Sequence, residues 1–193
     1  MNIATRIIAT LACGLIAPVS LAAEPKVKLL SPAQDTAKGA VLIGRTLVDK
    51  MSITLEIEGG ESMWMQMGKP PMWMEKKPAK GDLFHVEVKP VDPVSKTRIP
   101  YAEITFSAIN NSNKKKVMGT LHPSWGGSGL HYAWNTPLAG DGVYDATVTV
   151  GAPTFSRTEK NKDFWTKPVV TKFHFKVAGT TIVEVSEPLP ELQ

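Results

Sequence analysis

FHVEV at residues 84–88 alternates apolar and polar side chains, and this alternation is the clearest indication of the fold. Successive side chains of a β-strand point to opposite faces, so the three apolar residues would share one face and pack into a core. His85, Glu87 and the following Lys89 would share the other face. The stretch therefore predicts a half-buried strand that holds an imidazole and a carboxylate side by side.

Alternation of the same period continues through much of the chain. It occurs at residues 52–57, 101–109, 144–150 and 169–177. Turn-forming residues separate these segments, namely Gly59-Gly60, Asn110-Asn111, Gly126-Gly127, Gly140-Asp141-Gly142 and Pro168. Because no segment has a convincing helical period, the pattern predicts an all-β protein with an immunoglobulin-like antiparallel β-sandwich.

The start of the chain is typical of an exported protein. Residues 1–6 carry a positive charge, residues 7–21 are mostly apolar, and Ala22-Ala23 supply the small residues of a cleavage site. We expect residues 1–23 to be a cleaved signal peptide, because the apolar run is shorter than the roughly 20 residues that cross a bilayer. A single β-sandwich domain at residues 24–185 and a loosely ordered, Pro-rich tail at residues 186–193 would remain.

Cysteine usage and charge narrow the possible functions. Cys13, the only cysteine, lies in the expected signal peptide, so the exported chain would bind any metal without thiolate. The formal net charge is +4, and the lysine run at residues 114–116 follows several asparagines, as in a solvated turn. We therefore expect no nucleic-acid partner and no membrane-embedded segment.

A Met-rich segment lies within a long, Pro-interrupted loop expected over residues 59–82. It contains Met63, Trp64, Met65, Met67, Met72, Trp73 and Met74. Thioether sulfur favours Cu(I) and imidazole suits Cu, Fe and Zn, so the nearby His85 indicates a transition-metal site. If the segment is extended, the first three methionines share a face, and the last two repeat the arrangement. Methionine also fills gaps in cores and adaptable interfaces, which leaves hydrophobic packing or a dimer contact as alternatives.

The remaining histidines fall into two groups. His122 and Ser124 share one strand face, and the Gly-rich turn at residues 126–129 brings His131 back toward them. These histidines are candidates for the same metal, although a histidine beside Leu or Tyr is often a packing residue. His174 shares a face with two lysines and is predicted to be exposed to solvent.

No familiar enzyme signature is present in the sequence. It has no Gly-x-Ser-x-Gly elbow, no His-Glu-x-x-His helix and no phosphate-binding Gly loop. Ser124 lies two residues from His122 but lacks an evident orienting carboxylate or oxyanion hole. We therefore expect a protein that is not an enzyme.

Taken in order, these residues resemble the FetP-like family of periplasmic ferrous-iron-transport proteins, which bind iron and copper. The resemblance extends over about residues 72–177. It rests on five short motifs in register, which are His85-Val86-Glu87, Ile99-Pro100-Tyr101, Leu130-His131-Tyr132, Gly142-Val143-Tyr144 and Phe164-Trp165-Thr166-Lys167-Pro168. None of the five motifs is specific alone, and the resemblance rests on their occurring in the same order and spacing as in the family.

The resemblance implies an immunoglobulin-like sandwich that forms a homodimer in the periplasm and binds Fe(II), a copper ion or both. It also implies a role in high-affinity ferrous-iron uptake, with an inner-membrane iron permease as partner. His85, Glu87 and His131 occupy the ligand positions of the family. Met72 or Met74 stands for its upstream methionine ligand.

Two family ligands are replaced in this sequence. Ser124 stands where the family has a strand methionine, and His122, on the same face, offers a replacement imidazole. Arg157 lies in the loop at residues 156–159, from which relatives lend a histidine across the dimer. The fourth ligand is therefore open, and the candidate metal ligands are His85, Glu87, His131, His122, Met72 and Met74.

Three hypotheses for the function are consistent with these residues. The first is a periplasmic, non-enzymatic metal-binding protein for ferrous-iron uptake. The second is a copper-handling or copper-tolerance protein that binds Cu(I) or Cu(II) through the Met-rich segment. The third is an immunoglobulin-like interaction domain without metal, in which the Met-rich segment binds a protein and the histidines are structural.

Overall fold

The computed structural model describes residues 20–21 and 24–189 of the chain. The expected signal peptide, residues 1–23, lies outside the described residues except for Ser20-Leu21, and so does the end of the expected tail, residues 190–193. None of the helices in the described part of the chain is long and apolar enough to cross a membrane.

The described residues form thirteen strands and two short 3-10 helices. The strands are β1 (Ser20–Leu21), β2 (Val27–Asp35), β3 (Val41–Val48), β4 (Met51–Gly59), β5 (Met63–Met67), β6 (Met72–Lys76), β7 (Phe84–Val91), β8 (Ile104–Asn110), β9 (Lys116–Gly126), β10 (Gly129–Thr136), β11 (Gly142–Val150), β12 (Val169–Ala178) and β13 (Thr181–Ser186). The 3-10 helices are Thr36–Lys38 and Glu159–Asn161. Backbone hydrogen bonds continue beyond β13, from Glu187 to Lys26 and from Leu189 to Arg45.

Two antiparallel sheets share the long strand β9. One sheet has the order β2-β13-β12-β11-β8-β9, with β1 added in parallel to β12, and the other has the order β9-β10-β7-β4-β3. Residues 116–121 of β9 pair with β8 and residues 122–126 pair with β10, so β9 passes from one sheet to the other. The sheets meet again where β3 contacts β12 and β13. The all-β, immunoglobulin-like antiparallel sandwich predicted from the sequence is thereby confirmed.

Strand alternation fills the space between the two sheets with apolar side chains. Phe84, Val86 and Val88 of β7 are buried, as the sequence predicted. Phe173 and Phe175 of β12, in the other sheet, are buried as well. Each such side chain contributes about 1.5–3 kcal/mol when it is removed from water, so this core stabilises the sandwich without a disulfide.

Gly44 of β3 permits a close approach of the two sheets. A Cβ atom at Gly44 of β3 would lie 2.7 Å from the ring of Phe173 and 3.0 Å from Cβ of Ser186. Any larger residue would therefore push β3 away from β12 and β13.

Strands β5 and β6 form a separate hairpin between β4 and β7 in the chain. The sequence predicted one long loop over residues 59–82, whereas residues 63–67 and 72–76 pair with each other. Alternating side chains favour extended strands, and the Gly and Pro residues at 68–71 form the turn between them. The hairpin borders a cavity against β7, β9 and β10.

Candidate metal centre

The candidate site lies on the outer face of the second sheet, at its central strands. His85 and Glu87 point outward from β7, since the apolar residues between them fill the core. Pairing with β10 places Asn135 opposite His85 and Ala133 opposite Glu87. His131 shares this face of β10. The exposed fractions of His85, Glu87 and His131 are 1%, 6% and 3%, so the three polar residues are buried together.

Asn135 fixes the orientation of the His85 ring. Nδ2 of Asn135 donates to the carbonyl oxygen of Glu61 at 2.8 Å, which identifies Oδ1 as the amide atom that faces His85. His85 Nδ1 lies 2.8 Å from this Oδ1 and donates its proton to it. In the neutral ring, the free lone pair of His85 is therefore on Nε2.

A backbone carbonyl orients the His131 ring in the same way. His131 Nδ1 lies 3.0 Å from the carbonyl oxygen of Gly129, which can only accept a hydrogen bond. Gly129 has a φ of 80°, a conformation that favours glycine in the tight turn between β9 and β10. The free lone pair of the neutral His131 ring is therefore also on Nε2.

Glu87 presents one carboxylate oxygen to the histidines and the other to a buried lysine. Its Oε1 lies 3.3 Å from His131 Nε2 and 4.0 Å from His85 Nε2. Its Oε2 lies 2.8 Å from Nζ of Lys89, which also pairs with Glu56. Burial raises the pKa of Glu87, but the hydrogen bond and charge of Lys89 and the nearby histidines lower it more, so the pKa lies below the ordinary glutamate value. Lys89 thus keeps Glu87 ionised.

The side chains of His85, Glu87 and His131 could together bind one cation. Within the described part of the chain, the buried side-chain atoms without a hydrogen-bond partner are His85 Nε2 and His131 Nε2. Their neighbour, the ionised Glu87, has no proton to donate. The three candidate ligand atoms lie within 4.8 Å of one another. Because buried lone pairs without a donor are costly, a cation bound between these atoms would satisfy all three groups.

Two further carboxylates surround His85. Glu58 of β4 lies opposite His85 in the sheet, and Oε1 of Glu61 lies 3.4 Å from His85 Nε2. Ligand atoms of these three residues also lie within 4.8 Å of one another. Burial, together with the charges of Glu87 and Glu61, raises the pKa of Glu58 to about 7. The concentration of negative charge makes this part of the face attractive to cations.

Both cluster histidines line a cavity of about 1070 Å³ that the Met-rich hairpin helps to enclose. Met63 and Met65 of β5 line the same cavity. Met72 and Met74 are not among the lining residues, and they are 60% and 45% exposed. The structure therefore places Met63 and Met65, and not the two methionines that the sequence favoured, in the wall of this cavity. The role of Met72 and Met74 as ligands stays a prediction.

His122 and Ser124 lie on β9 beside the cluster. Ser124 is directly opposite His131, and His122 is opposite Ala133, which separates it from Glu87. His122 is exposed and lines the cavity, but it is outside the group whose ligand atoms converge. Oγ of Ser124 donates to the carbonyl oxygen of His122 at 3.3 Å. The role of His122 as a replacement ligand stays a prediction.

Arg157 stabilises the backbone of its own loop. Its guanidinium donates at 2.9–3.4 Å to four carbonyl oxygens, those of Pro153, Phe155, Phe164 and Trp165. It lines a separate cavity of about 420 Å³ and is not among the residues that line the cavity of the cluster. Within one chain, the loop therefore supplies structure and no ligand to the cluster.

Sequence reasoning missed three residues that surround His85, which are Asn135, Glu58 and Glu61. Asn135 is 50 positions away in the chain and meets His85 only through strand pairing. The alternation of β10 places Asn135 on the same face as His131, so the sequence could have predicted that Asn135 lies near the site. The register between β7 and β10, which brings the two side chains together, cannot be read from either strand alone.

His174 lies outside the cavity of the cluster, on β12. Its Nε2 lies 2.8 Å from Oε1 of Glu184, and its Nδ1 lies 3.4 Å from Oδ1 of Asp145. Its side chain is 15% exposed, so the prediction of solvent exposure is wrong. The reason is that the neighbouring strands β11 and β13 each place a carboxylate beside the ring.

Solved structures of two bacterial proteins share this fold. FetP of uropathogenic Escherichia coli matches with a TM-score of 0.61 and 22% identity, over 72% of this chain and 96% of that chain. The copper-reconstituted P19 protein of Campylobacter jejuni matches with a TM-score of 0.58 and 21% identity, over 74% of this chain and 98% of that chain. A copper-bound variant of FetP gives a TM-score of 0.57 and 21% identity, over 72% and 93% of the two chains.

Sequence comparison identifies the family. No curated protein sequence matches this chain. The sequence profile of the family described as "Fe2+ transport protein" matches residues 70–179, a span that contains His85, Glu87 and His131. Together with the shared fold, this match confirms the resemblance to FetP-like proteins. Because the match spans more than half of the 193 residues, the chain belongs to the Fe2+ transport protein family.

Proposed function

We propose that this protein binds Fe(II), a copper ion or both at His85, Glu87 and His131. The observation that carries the proposal is the pair of buried Nε2 atoms beside Oε1 of Glu87, which have no hydrogen-bond partner among the described residues. Imidazole nitrogen with a carboxylate oxygen suits both metals. The description of the family and the copper-bound relatives support the same choice of ions.

The remaining ligands would come from mobile or exposed groups around this cluster. Glu61 is close to His85 Nε2, and its side chain is 47% exposed, so it can move toward an ion. His122 faces the same cavity, and Met72 and Met74 are the candidates from the family resemblance. A coordination sphere that keeps an open position suits an ion that must be accepted and later released.

We further propose that the protein acts in the periplasm as a non-enzymatic component of high-affinity ferrous-iron uptake. The signal-like start of the chain supports export, and the description of the family supports iron transport. The protein would work as a homodimer and pass its ion to an inner-membrane iron permease. Sedimentation equilibrium of the exported chain, with and without metal, tests the dimer.

Isothermal titration calorimetry of the exported chain tests the metal site. We expect anaerobic titration with Fe(II), and separate titration with Cu(II), to give binding heats that disappear in the double variant His85→Ala, His131→Ala. The matched control is His174→Ala, which removes an imidazole outside the cavity and should leave the heats unchanged. Equal heats from the double variant and the wild type would refute the site.

Iron uptake by cells tests the role of the site. In a strain that lacks the gene, the wild-type gene should restore uptake of radiolabelled Fe(II), and the double histidine variant should not. If both restore uptake equally, the transport role fails even where purified protein binds metal.

A further inference from the structure

The Met-rich hairpin, residues 63–76, carries a second set of potential metal ligands. Met65 lies directly opposite Met74, and Met67 lies directly opposite Met72. Opposed residues of an antiparallel pair project to the same face, and residues two apart on one strand share that face. The four thioethers therefore lie together on one face of the hairpin, and the two tryptophans lie on the other.

These methionines are exposed in a way that core packing does not explain. The exposed fractions of Met67, Met72 and Met74 are 43%, 60% and 45%, and Met65 is half-buried. Met51 of β4, by contrast, is fully buried in the core. Isolated apolar residues are common on protein surfaces, but four thioethers on one face of a short hairpin form a concentrated set of soft donors.

The chemistry of this face suits Cu(I). Thioether sulfur is a soft ligand that selects Cu(I) over hard divalent cations. Cβ atoms of directly opposed residues lie about 4.5–5.5 Å apart, and the unbranched methionine side chain is flexible enough for neighbouring sulfurs to converge on one ion. Two opposed pairs supply three or four sulfurs, which is enough to surround a Cu(I) ion.

We propose that Met65, Met67, Met72 and Met74 form a Cu(I) site on the hairpin, separate from the cluster of two histidines and one glutamate. This proposal goes beyond the proposed function and does not rest on it, because the pairing of β5 with β6 brings the four thioethers together without either cluster histidine.

The thioether face of the hairpin reaches the cavity that the cluster histidines line. Met65 lines the cavity that the cluster histidines also line, and Met67 and Met72 lie next to the hairpin turn at residues 68–71. The thioether face thus extends from the turn to the cavity wall.

Competition with a chromogenic Cu(I) chelator, under anaerobic and reducing conditions, tests the proposal. The test variant replaces all four methionines with leucine, which keeps side-chain size and removes sulfur. The wild type and the double variant His85→Ala, His131→Ala should withdraw Cu(I) from the chelator equally. The leucine variant should bind Cu(I) at least tenfold more weakly. Met118→Leu, an exposed methionine of β9 outside the hairpin, is the matched control and should change nothing.

A variant with only two substitutions and a second measurement show whether a loss of Cu(I) binding comes from misfolding of the hairpin. Met67→Leu, Met72→Leu changes only the pair beside the turn and should also weaken Cu(I) binding, with an unchanged circular dichroism spectrum. X-ray absorption of the Cu(I)-loaded double histidine variant should show sulfur-only coordination.

Two results would overturn the hairpin site. One is full Cu(I) affinity in the fourfold leucine variant, and the other is loss of Cu(I) from the double histidine variant. Calorimetry with Fe(II) separates this proposal from the proposed function. Because Met72 and Met74 are also candidate ligands of the cluster, the Fe(II) heat is measured on Met67→Leu, a methionine outside the cavity. An unchanged Fe(II) heat with weakened Cu(I) binding in this variant supports a separate site. If the wild type gives no Fe(II) heat, only the cluster is refuted.

Discussion

His85 and His131 each donate Nδ1–H to a fixed acceptor, which is Asn135 Oδ1 in one case and the Gly129 carbonyl oxygen in the other. Such partners select the tautomer that exposes Nε2 and hold the ring in place, so that little reorganisation is needed when an ion binds. Lys89 has the corresponding role for Glu87, since it engages the oxygen that does not face the histidines. We therefore expect Asn135, Gly129 and Lys89 to strengthen metal binding at the proposed site without contributing a ligand atom.

Replacing Asn135 with Ala should weaken metal binding at the cluster. Without Oδ1, the His85 ring can rotate or exchange tautomers, and loss of such a partner typically lowers metal affinity by about 10–100-fold. Calorimetry with Fe(II) and Cu(II) measures the dissociation constants. Asn111→Ala is the control, because Asn111 donates to Asp145 on the surface and lies outside the cavity. An unchanged affinity in Asn135→Ala would mean that ring orientation does not limit binding.

The second sheet supplies a rigid platform because β7 is paired on both sides. β4 and β10 flank it, and its core-facing residues are buried, so His85 and Glu87 project from a strand with little freedom to move. The strand ends in a turn organised by Asp92. Its carboxylate accepts hydrogen bonds from the backbone N–H groups of Val94 and Ser95 and from the Ser95 hydroxyl. This turn fixes the end of β7 that lies beyond the cluster.

Replacing Asp92 with Asn should destabilise the protein in a pH-dependent way. Burial raises the pKa of Asp92, but the hydrogen bonds from Ser95 and Val94 lower it more, so its pKa in the folded protein is below the ordinary value of 3.8. The ionised form therefore stabilises the fold above the unfolded pKa of about 3.9, and this contribution disappears as the pH falls through the folded pKa.

Urea unfolding at pH 7 and at pH 3 measures this effect. The substitution should cost about 1 kcal/mol at pH 7, where the charged hydrogen bonds are intact, and less at pH 3. Asp163→Asn, at an exposed aspartate, is the control and should leave the unfolding free energy unchanged at both pH values. A cost that is the same at both pH values would show that the ionised carboxylate does not contribute.

The elements differ in how far the sequence determined them. Alternation in residues 84–88 and 144–150 predicted β7 and β11 correctly, because a strand between core and solvent requires a period of two. The hairpin of β5 and β6 was expected as a loop, since pairing between two short segments depends on their register and not on either pattern alone. The residues suggested that His131 could share a metal with the other histidines, and the family resemblance specified its place beside His85 and Glu87. Neither pattern alone determines this convergence, because long-range pairing through β10 creates it.

At the scale of the whole molecule, the candidate metal site and the core occupy opposite faces of the same sheet. The apolar residues of β7 face the sandwich interior, and the cluster faces the cavity outside it. The large buried apolar core does not include His85, Glu87 or His131. Folding should therefore not require the ion, whereas the folded state gathers ligands that an unfolded chain would scatter, so that metal should bind the native protein selectively.

Metal loading should raise the melting temperature of the wild-type protein, and chelation should reverse the rise. An ion at about 100 times its dissociation constant adds roughly 2.7 kcal/mol if it binds only the folded state. For a domain of this size, about 2–4 °C per kcal/mol then corresponds to an increase of about 5–10 °C. Differential scanning calorimetry with Fe(II) under anaerobic conditions, before and after addition of a chelator, measures the shift.

The double variant His85→Ala, His131→Ala should unfold cooperatively and show no shift. If the chelated wild type lacked a cooperative transition, the core would depend on the ion and the separation of the two faces would be wrong.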